Sequence, residues 1–382
     1  MADRLRSAVD RYVPAGFAYA GGDLHTSTSL AQLSLTACLV GLASGQLIAG
    51  PVSDVRGRRS PLLIGLIVYA VASPLCSFST SIWALIVLRF IQGAAGSAGI
   101  VISRAMVRDM YSGSELTKFF ALLMLVNGAA PILAPIAGAQ LLKLTAWPGV
   151  FVVLCAIGVI MLLSVFFVLP ETLAPQQRSK GGLRNTLSTF ARLASNRSFM
   201  GYALSQGLVS AAMFAYISGS PFVVQDLFGA SPQMFSLIFA VNGLGIIIAG
   251  QLTGRLAGRI SETKPLITGL TLAALGGLAL LAMILIGAGL FAILPPLFVI
   301  VSSVGIVSTS SFSLAMQDQG KSAGGASALL GLLSLISGGI VAPLVGIGGS
   351  STAVPMGVVI AAAEIGAVMC YYFMIHRRRK RV

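Results

Sequence analysis

Three places in this sequence put charged or polar side chains where chemistry is expected. Arg89 stands inside the apolar run 81–103, within Leu88-Arg89-Phe90-Ile91-Gln92-Gly93. If a helix starts near Ser81, Arg89 lies roughly 12 Å into it, about mid-depth in a bilayer. An arginine there is expensive unless paired or wet, so function is the default reading; snorkelling to the outer face is the alternative. Glu364 is a carboxylate within the run 353–375 and reads either as a proton site or as half of a buried structural pair. The third place is the tight basic turn Gly50-Pro51-Val52-Ser53-Asp54-Val55-Arg56-Gly57-Arg58-Arg59. It suits a gate: glycine allows helices to approach closely, and Asp54 can pair with arginines such as Arg104 and Arg108 or cap a helix N-terminus. A solvated basic loop would explain the arginines but not the spacing of Asp and Gly.

Much familiar chemistry is missing. His25 and His376 are too far apart in sequence to suggest a metal site, and there is no zinc spacing, Walker loop or nucleophile elbow. Cys38, Cys76, Cys155 and Cys370 all fall in apolar runs, where a small buried hydrophobe is the ordinary reading. No cofactor and no metal are expected, and transport, if any, is driven by a gradient or passive.

The elements that must position these residues are membrane helices. Of 382 residues, 56% are hydrophobic and only 9% charged, against roughly 25% charged in soluble domains. That excludes a soluble enzyme, a secreted disulfide module and a disordered chain. Spans are read at 28–50, 61–79, 81–103, 118–141, 147–169, 199–223, 233–254, 265–287, 290–314, 323–346 and 353–375. The polar break 170–198 divides the chain into an N-terminal bundle (1–169), a linker (170–198) and a C-terminal bundle (199–382). The net charge of +14 would suggest nucleic acid in a soluble protein, but 20 of the 25 basic residues fall in one set of loops, the linker and the C-terminus. The positive-inside rule then makes the linker and the C-terminus cytoplasmic, and no nucleic-acid partner is expected.

The halves echo each other. Gly50-Pro51-Val52-Ser53-Asp54 and Gly250-Gln251-Leu252-Thr253-Gly254-Arg255 end spans 200 residues apart, and Ala134-Pro135-Ile136-Ala137-Gly138 recurs as Ala342-Pro343-Leu344-Val345-Gly346. Six-plus-six halves of this kind place a substrate site at the midplane between them. The span 199–223 then demands a partner at 1–22, whose first half carries Asp3, Arg4, Arg6, Asp10 and Arg11 and is too polar to face lipid. The reading is a chain that begins within a longer first helix, the alternative being a helix shielded by protein.

At these residues the sequence resembles a known family. The 50–59 turn is similar to the G-x-x-x-D-x-x-G-R-R loop signature of the major facilitator superfamily, and Arg89-Phe90-Ile91-Gln92-Gly93 resembles its fourth-span R-x-x-Q-G. The stretch from Asn127 through Gly128, Pro131 and Pro135 to Gly138 resembles the Gly/Pro-rich fifth-span signature of antiporters; a helix kink and a coupling role are both open there. Val9-Asp10-Arg11-Tyr12-Val13-Pro14-Ala15, Phe214-Ala215-Tyr216-Ile217-Ser218-Gly219-Ser220-Pro221-Phe222-Val223 and Ala105-Met106-Val107-Arg108-Asp109 are similar to segments of the Bcr/CflA drug-resistance transporters.

The resemblance implies an all-α membrane protein with the major facilitator fold: two six-helix halves, pseudo-two-fold symmetry, 11 clear spans and a short or incomplete first helix. It implies a monomeric multi-pass exporter of small amphiphilic drugs in the bacterial inner membrane, working by proton antiport and alternating access. Its partners are the drug, protons and the bilayer. The family's first-span acid carries over to Asp10, which joins Arg89 and Glu364 as proton-coupling candidates; Arg11, where the family has Met, can neutralise it directly. Gly50, Asp54, Gly57, Arg58, Arg59 and Arg108 are the gating candidates. Gly128, Pro131, Pro135 and Gly138 are candidates for helix packing. Tyr12, Phe214, Tyr216, Phe222 and Asn242 offer aromatic faces and a few polar groups for a bulky amphiphile, with simple packing as the alternative. A metabolite facilitator or symporter on the same fold and an N-terminally truncated, non-functional transporter are the competing readings.

Overall fold

Backbone groups in a bilayer must be satisfied within the chain, so a sequence this apolar folds as helices. The computed structural model describes residues 28–179, 183–346 and 352–376. Twelve α-helices form there, and no β-strand forms among the described residues: α1 Thr28–Arg56, α2 Arg59–Ser77, α3 Ile82–Met110, α4 Gly113–Leu144, α5 Trp147–Val168, α6 Leu183–Ser195, α7 Arg197–Pro221, α8 Pro232–Leu256, α9 Thr263–Leu285, α10 Leu290–Met316, α11 Ala323–Gly346 and α12 Val354–Tyr371. Ten are long and apolar enough to cross a membrane. Of the other two, α4 covers the expected span 118–141, and α6 is a short amphipathic helix inside the linker. In α6, Leu193 is buried while Leu187 is exposed. All 11 expected spans fall on helices, with ends that differ from the expected ones by up to seven residues, as at Met110 of α3.

Local chemistry explains several ends. Asn196 caps α7 by accepting a hydrogen bond from the Phe199 N–H at 3.1 Å, and Ser231 caps α8 by accepting from Met234 at 3.2 Å, with Pro232 in the first turn. Pro221 has no N–H to continue the ladder of α7, and the chain widens into a π-helical segment, Phe222–Leu227.

The helices divide into two compact units. The first holds the described residues up to Met106 and those from Leu133 into the linker; the second holds Val107–Ile132 and the described residues from 183 onward. Thus the last turn of α3 and the first part of α4 pack with the second unit. In the first, Leu62, Leu66, Ala98, Ile102 and Met106 form one core cluster, and Cys76, Ile82, Leu85 and Trp147 another. In the second, α7 packs on α10, α11 and α12, α9 packs on α10 and α12, and α8 lies along α10. Large apolar side chains such as Phe167, Val168 and Phe291 are exposed on the outer faces, as a lipid solvent permits.

Candidate functional site

In the first unit, small residues let α1 and α3 cross closely. A Cβ at Gly93 would run into the Cys38 carbonyl, and one at Gly41 into the carbonyl of Phe90. Beside this crossing, about 10 Å into α3, lies Arg89. Its Nη1 donates to Gln92 Oε1 at 2.6 Å. Gln92, itself buried, donates to Ser73 Oγ at 2.8 Å, and Ser73 donates to the Tyr69 carbonyl at 2.8 Å. The guanidinium also sits over the Phe151 ring, 5.7 Å from its centroid. Among the described residues no carboxylate pairs with Arg89. The result is a half-buried cation held by an amide and a ring.

The basic turn is folded rather than loose. Asp54 and Arg58, four residues apart, pair at 2.6 Å with Arg58 fully buried, and Arg58 Nη1 also donates to Ser53 Oγ at 2.9 Å. Gly57 has φ +91°, and a Cβ there would collide with Glu171. Glu171, outside the spans, accepts from the backbone N–H groups of Arg58 (2.8 Å), Arg59 (3.2 Å) and Leu173 (3.0 Å), with Arg178 at 3.9 Å. Its carboxylate therefore caps the start of α2. Partial burial pushes its pKa up, but the three N–H groups and Arg178 outweigh that and hold it below the usual carboxylate range. Arg59 lies over the Phe166 ring and donates to the Phe166 carbonyl. The sequence reading missed Glu171; the only available signal was one acid just after Pro170 and a long apolar run.

In the second unit Arg108 serves carbonyls, and no acid among the described residues pairs with it. Its Nε donates to the Met316 carbonyl at 2.7 Å and its Nη2 to that of Gln317, so a cation caps the C-terminus of α10. Thr117 and Ser313 share a hydrogen bond of 2.6 Å, Phe120 stacks on Phe312, and Gln251 donates to the Ala121 carbonyl at 2.7 Å. Glu262, just ahead of α9, accepts from Gln317. Burial raises its pKa despite hydrogen bonds from Gln317 and Thr117.

The proposed drug-contacting residues separate. Tyr216 and Asn242 meet, with Asn242 Nδ2 donating to the Tyr216 hydroxyl at 2.8 Å, and Tyr216 stacks on Phe239 at 5.7 Å. Asn242 also lines a groove of about 340 Å³ between α8 and α10, with Ile238, Pro295 and Phe298. Phe214 packs instead against Gly338 of α11, and Phe222 starts the π-helical segment, partly exposed. Glu364 is completely buried in α12. Gly50 is buried in α1. Gly128, Pro131, Pro135 and Gly138 lie in α4, and a side chain at Gly138 would meet open space. Asp10 and Tyr12 lie outside the described residues.

Comparison with known proteins gives a consistent picture. The Major Facilitator Superfamily model matches residues 7–343. The chain is 44% identical over 372 residues to the uncharacterized MFS-type transporter YdgK of Bacillus subtilis (strain 168), covering 97% of this chain and 92% of that one. It is 29% identical over 372 residues to a bicyclomycin resistance protein homolog of Haemophilus influenzae (strain ATCC 51907 / DSM 11121 / KW20 / Rd), covering 97% and 93%. Its fold is similar to that of the proton:xylose symporter XylE bound to 6-bromo-6-deoxy-D-glucose, with TM-score 0.77 at 16% identity, covering 96% of this chain and 91% of that one.

Proposed function

We propose that this chain, which belongs to the Major Facilitator Superfamily, exports small amphiphilic drugs in exchange for protons. It is a multi-pass membrane transporter rather than an enzyme. In the proposed arrangement it works as a monomer in the bacterial inner membrane. Two functional halves, 1–169 and 199–382, alternate access about the linker 170–198. The basic charge concentrated in the linker and C-terminus supports a cytoplasmic placement for both.

The observation that carries the reading is Arg89. A cation inside a membrane helix, held by Gln92 and Phe151 and without a carboxylate among the described residues, is suited to a charge that comes and goes. Asp10, assigned by resemblance, supplies that carboxylate: ionised it pairs with Arg89, and protonated it releases the arginine. Aromatic planes with one amide, at Tyr216, Phe239 and Asn242, suit a flat or bulky drug that needs few hydrogen bonds. Phe214 and Phe222, set apart from that pair, and Tyr12 are proposed as further drug contacts. The similarity to a bicyclomycin resistance homolog supports drugs over metabolites. Gating is assigned to the Gly50–Arg59 turn and to Arg108, and the bending and close packing of α4 to Gly128, Pro131 and Pro135, whereas Gly138 faces open space.

Proteoliposomes test this. With a proton gradient imposed, wild-type protein moves a labelled drug against its concentration, an uncoupler abolishes the movement, and Arg89→Gln lowers it at least tenfold. Drug flux indifferent to the gradient and to the uncoupler would overturn the proposal.

A further inference from the structure

We infer that Glu364 is a reversible proton-binding site within the second unit, reached through the hydroxyl-rich stretch Ser308–Ser313 of α10. Glu364 is 0% exposed, and neither carboxyl oxygen has a hydrogen-bond partner. Space for it comes from α9, where a Cβ on Gly277 would lie 3.7 Å from that of Glu364. No neighbouring helix brings a counter-charge to this depth. On α7 the titratable groups are Arg197 in the first turn, Tyr202, and Tyr216, whose hydroxyl is bonded to Asn242. On α9 there is Lys264, second residue of the helix, while α10 and α11 have no charged residue. Along α12 and its π-helical extension, Cys370, Tyr371, Tyr372 and His376 lie six or more residues further on. An ionised carboxylate placed so would have neither a partner ion nor a donor, and taking up a proton removes that cost.

The proposed route is a run of three consecutive buried hydroxyls without hydrogen-bond partners among the described residues; single ones occur at Ser220, Ser302 and Ser327. In other helices several Ser and Thr fold back on the carbonyl four residues earlier, as Ser73, Ser218, Thr253, Thr271 and Ser334 do at 2.8–3.0 Å. In α10, Thr309, Ser310 and Ser311 are all buried and none has a partner. Three successive residues point about 100° apart around a helix, so these hydroxyls spread over about 200° of the circumference of α10. Their neighbours reach across to other helices. Ser308 accepts from Gln206 Nε2 at 2.9 Å, and Ser313 meets Thr117 at 2.6 Å. Beside Gln206, the Ser205 hydroxyl donates to the Ala367 carbonyl at 3.0 Å, one turn along α12 from Glu364. Hydrogen bonds thus tie Ser205 to the turn of Glu364, Gln206 to Ser308, and Ser313 through Thr117 to Glu262, and in the proposal the unpartnered hydroxyls of Thr309, Ser310 and Ser311 complete the path between these groups and Glu364. A hydroxyl accepts one proton while donating another, so such a chain passes protons without any group moving far. The proton binds a carboxyl oxygen from this side and leaves by the same route. Its use in drug export rests on the reading proposed above.

Infrared spectroscopy of the purified full chain in liposomes reads the site without any drug. At pH 7 the wild type should show a neutral-carboxyl stretch that Glu364→Gln removes, and Glu364→Asp should keep the stretch at a shifted frequency. On transfer to D2O the stretch should shift promptly in wild type and at least tenfold more slowly in T309A/S310A/S311A, with helix content by circular dichroism unchanged. A spectrum that Glu364→Gln leaves the same, or that lacks the band in both wild type and Glu364→Asp, overturns the site. Exchange equally fast in the triple variant overturns the route. A wild type that has the band but moves no drug under a proton gradient leaves the site standing and removes the export reading.

Discussion

A charge buried in a protein is held by whatever surrounds it, and three such charges here are held differently. Arg58 is paired with Asp54 inside the fold, Arg89 rests on an amide and an aromatic ring, and the Glu364 carboxyl has no hydrogen-bond partner among the described residues. The first arrangement holds the basic turn in its folded form. Arg58→Ala should remove the buried cation that pairs with Asp54 and cost about 3–5 kcal/mol. The expected outcome is a clearly lower unfolding temperature in detergent, partly restored by adding Asp54→Asn; an unchanged melting curve would contradict the burial of the pair. All three residues are visible in the sequence as charges in or beside apolar runs. Which is structural and which is available for chemistry is not visible, because that depends on partners such as Gln92 on the same helix, Phe151 on another, and the absence of any for Glu364.

Helices here are placed by their small residues and their caps. Gly93→Val should prevent the close crossing of α1 and α3, since the added carbon meets the Cys38 carbonyl, which backbone cannot easily yield. That variant is expected to aggregate on purification, while Gly138→Ala, whose added methyl meets open space, should behave as wild type; gel filtration separates the two outcomes. The start of α2 depends on Glu171. Because its folded-state pKa lies below the unfolded value, the ionised cap stabilises the fold at pH above the unfolded value, near pH 4.3 by the ordinary glutamate figure of about that size. This contribution fades as the pH falls through the lower, folded-state value. Thermal unfolding of wild type and Glu171→Gln should thus differ at neutral pH and converge in acid; a gap that widens in acid would reverse the sign. Spacing in the sequence pointed to the basic turn but not to this acid, which lies 112 residues from Arg59 and meets it only through the tertiary fold.

At the scale of the whole molecule, the excess of positive charge is a statement about orientation. A single cysteine introduced at Ser188 in the linker helix, in a chain with its four native cysteines replaced, should react with a membrane-impermeant reagent only after cells are opened. Labelling of intact cells would place the linker outside and invert the proposed topology. Composition, apolar run lengths and loop charge by themselves determined the class of protein, the 11 helical spans that the structure contains and the sidedness proposed for them, because each follows from transfer of side chains between water and lipid, residue by residue. Only the tertiary structure decided that Asp54 takes Arg58, that Arg108 caps α10, that Glu171 holds the basic turn and that Val107–Ile132 packs with the second unit. Those pairings join groups by distance in space, and once helices pack side by side, residues 200 apart in the chain can be nearer than neighbours along it.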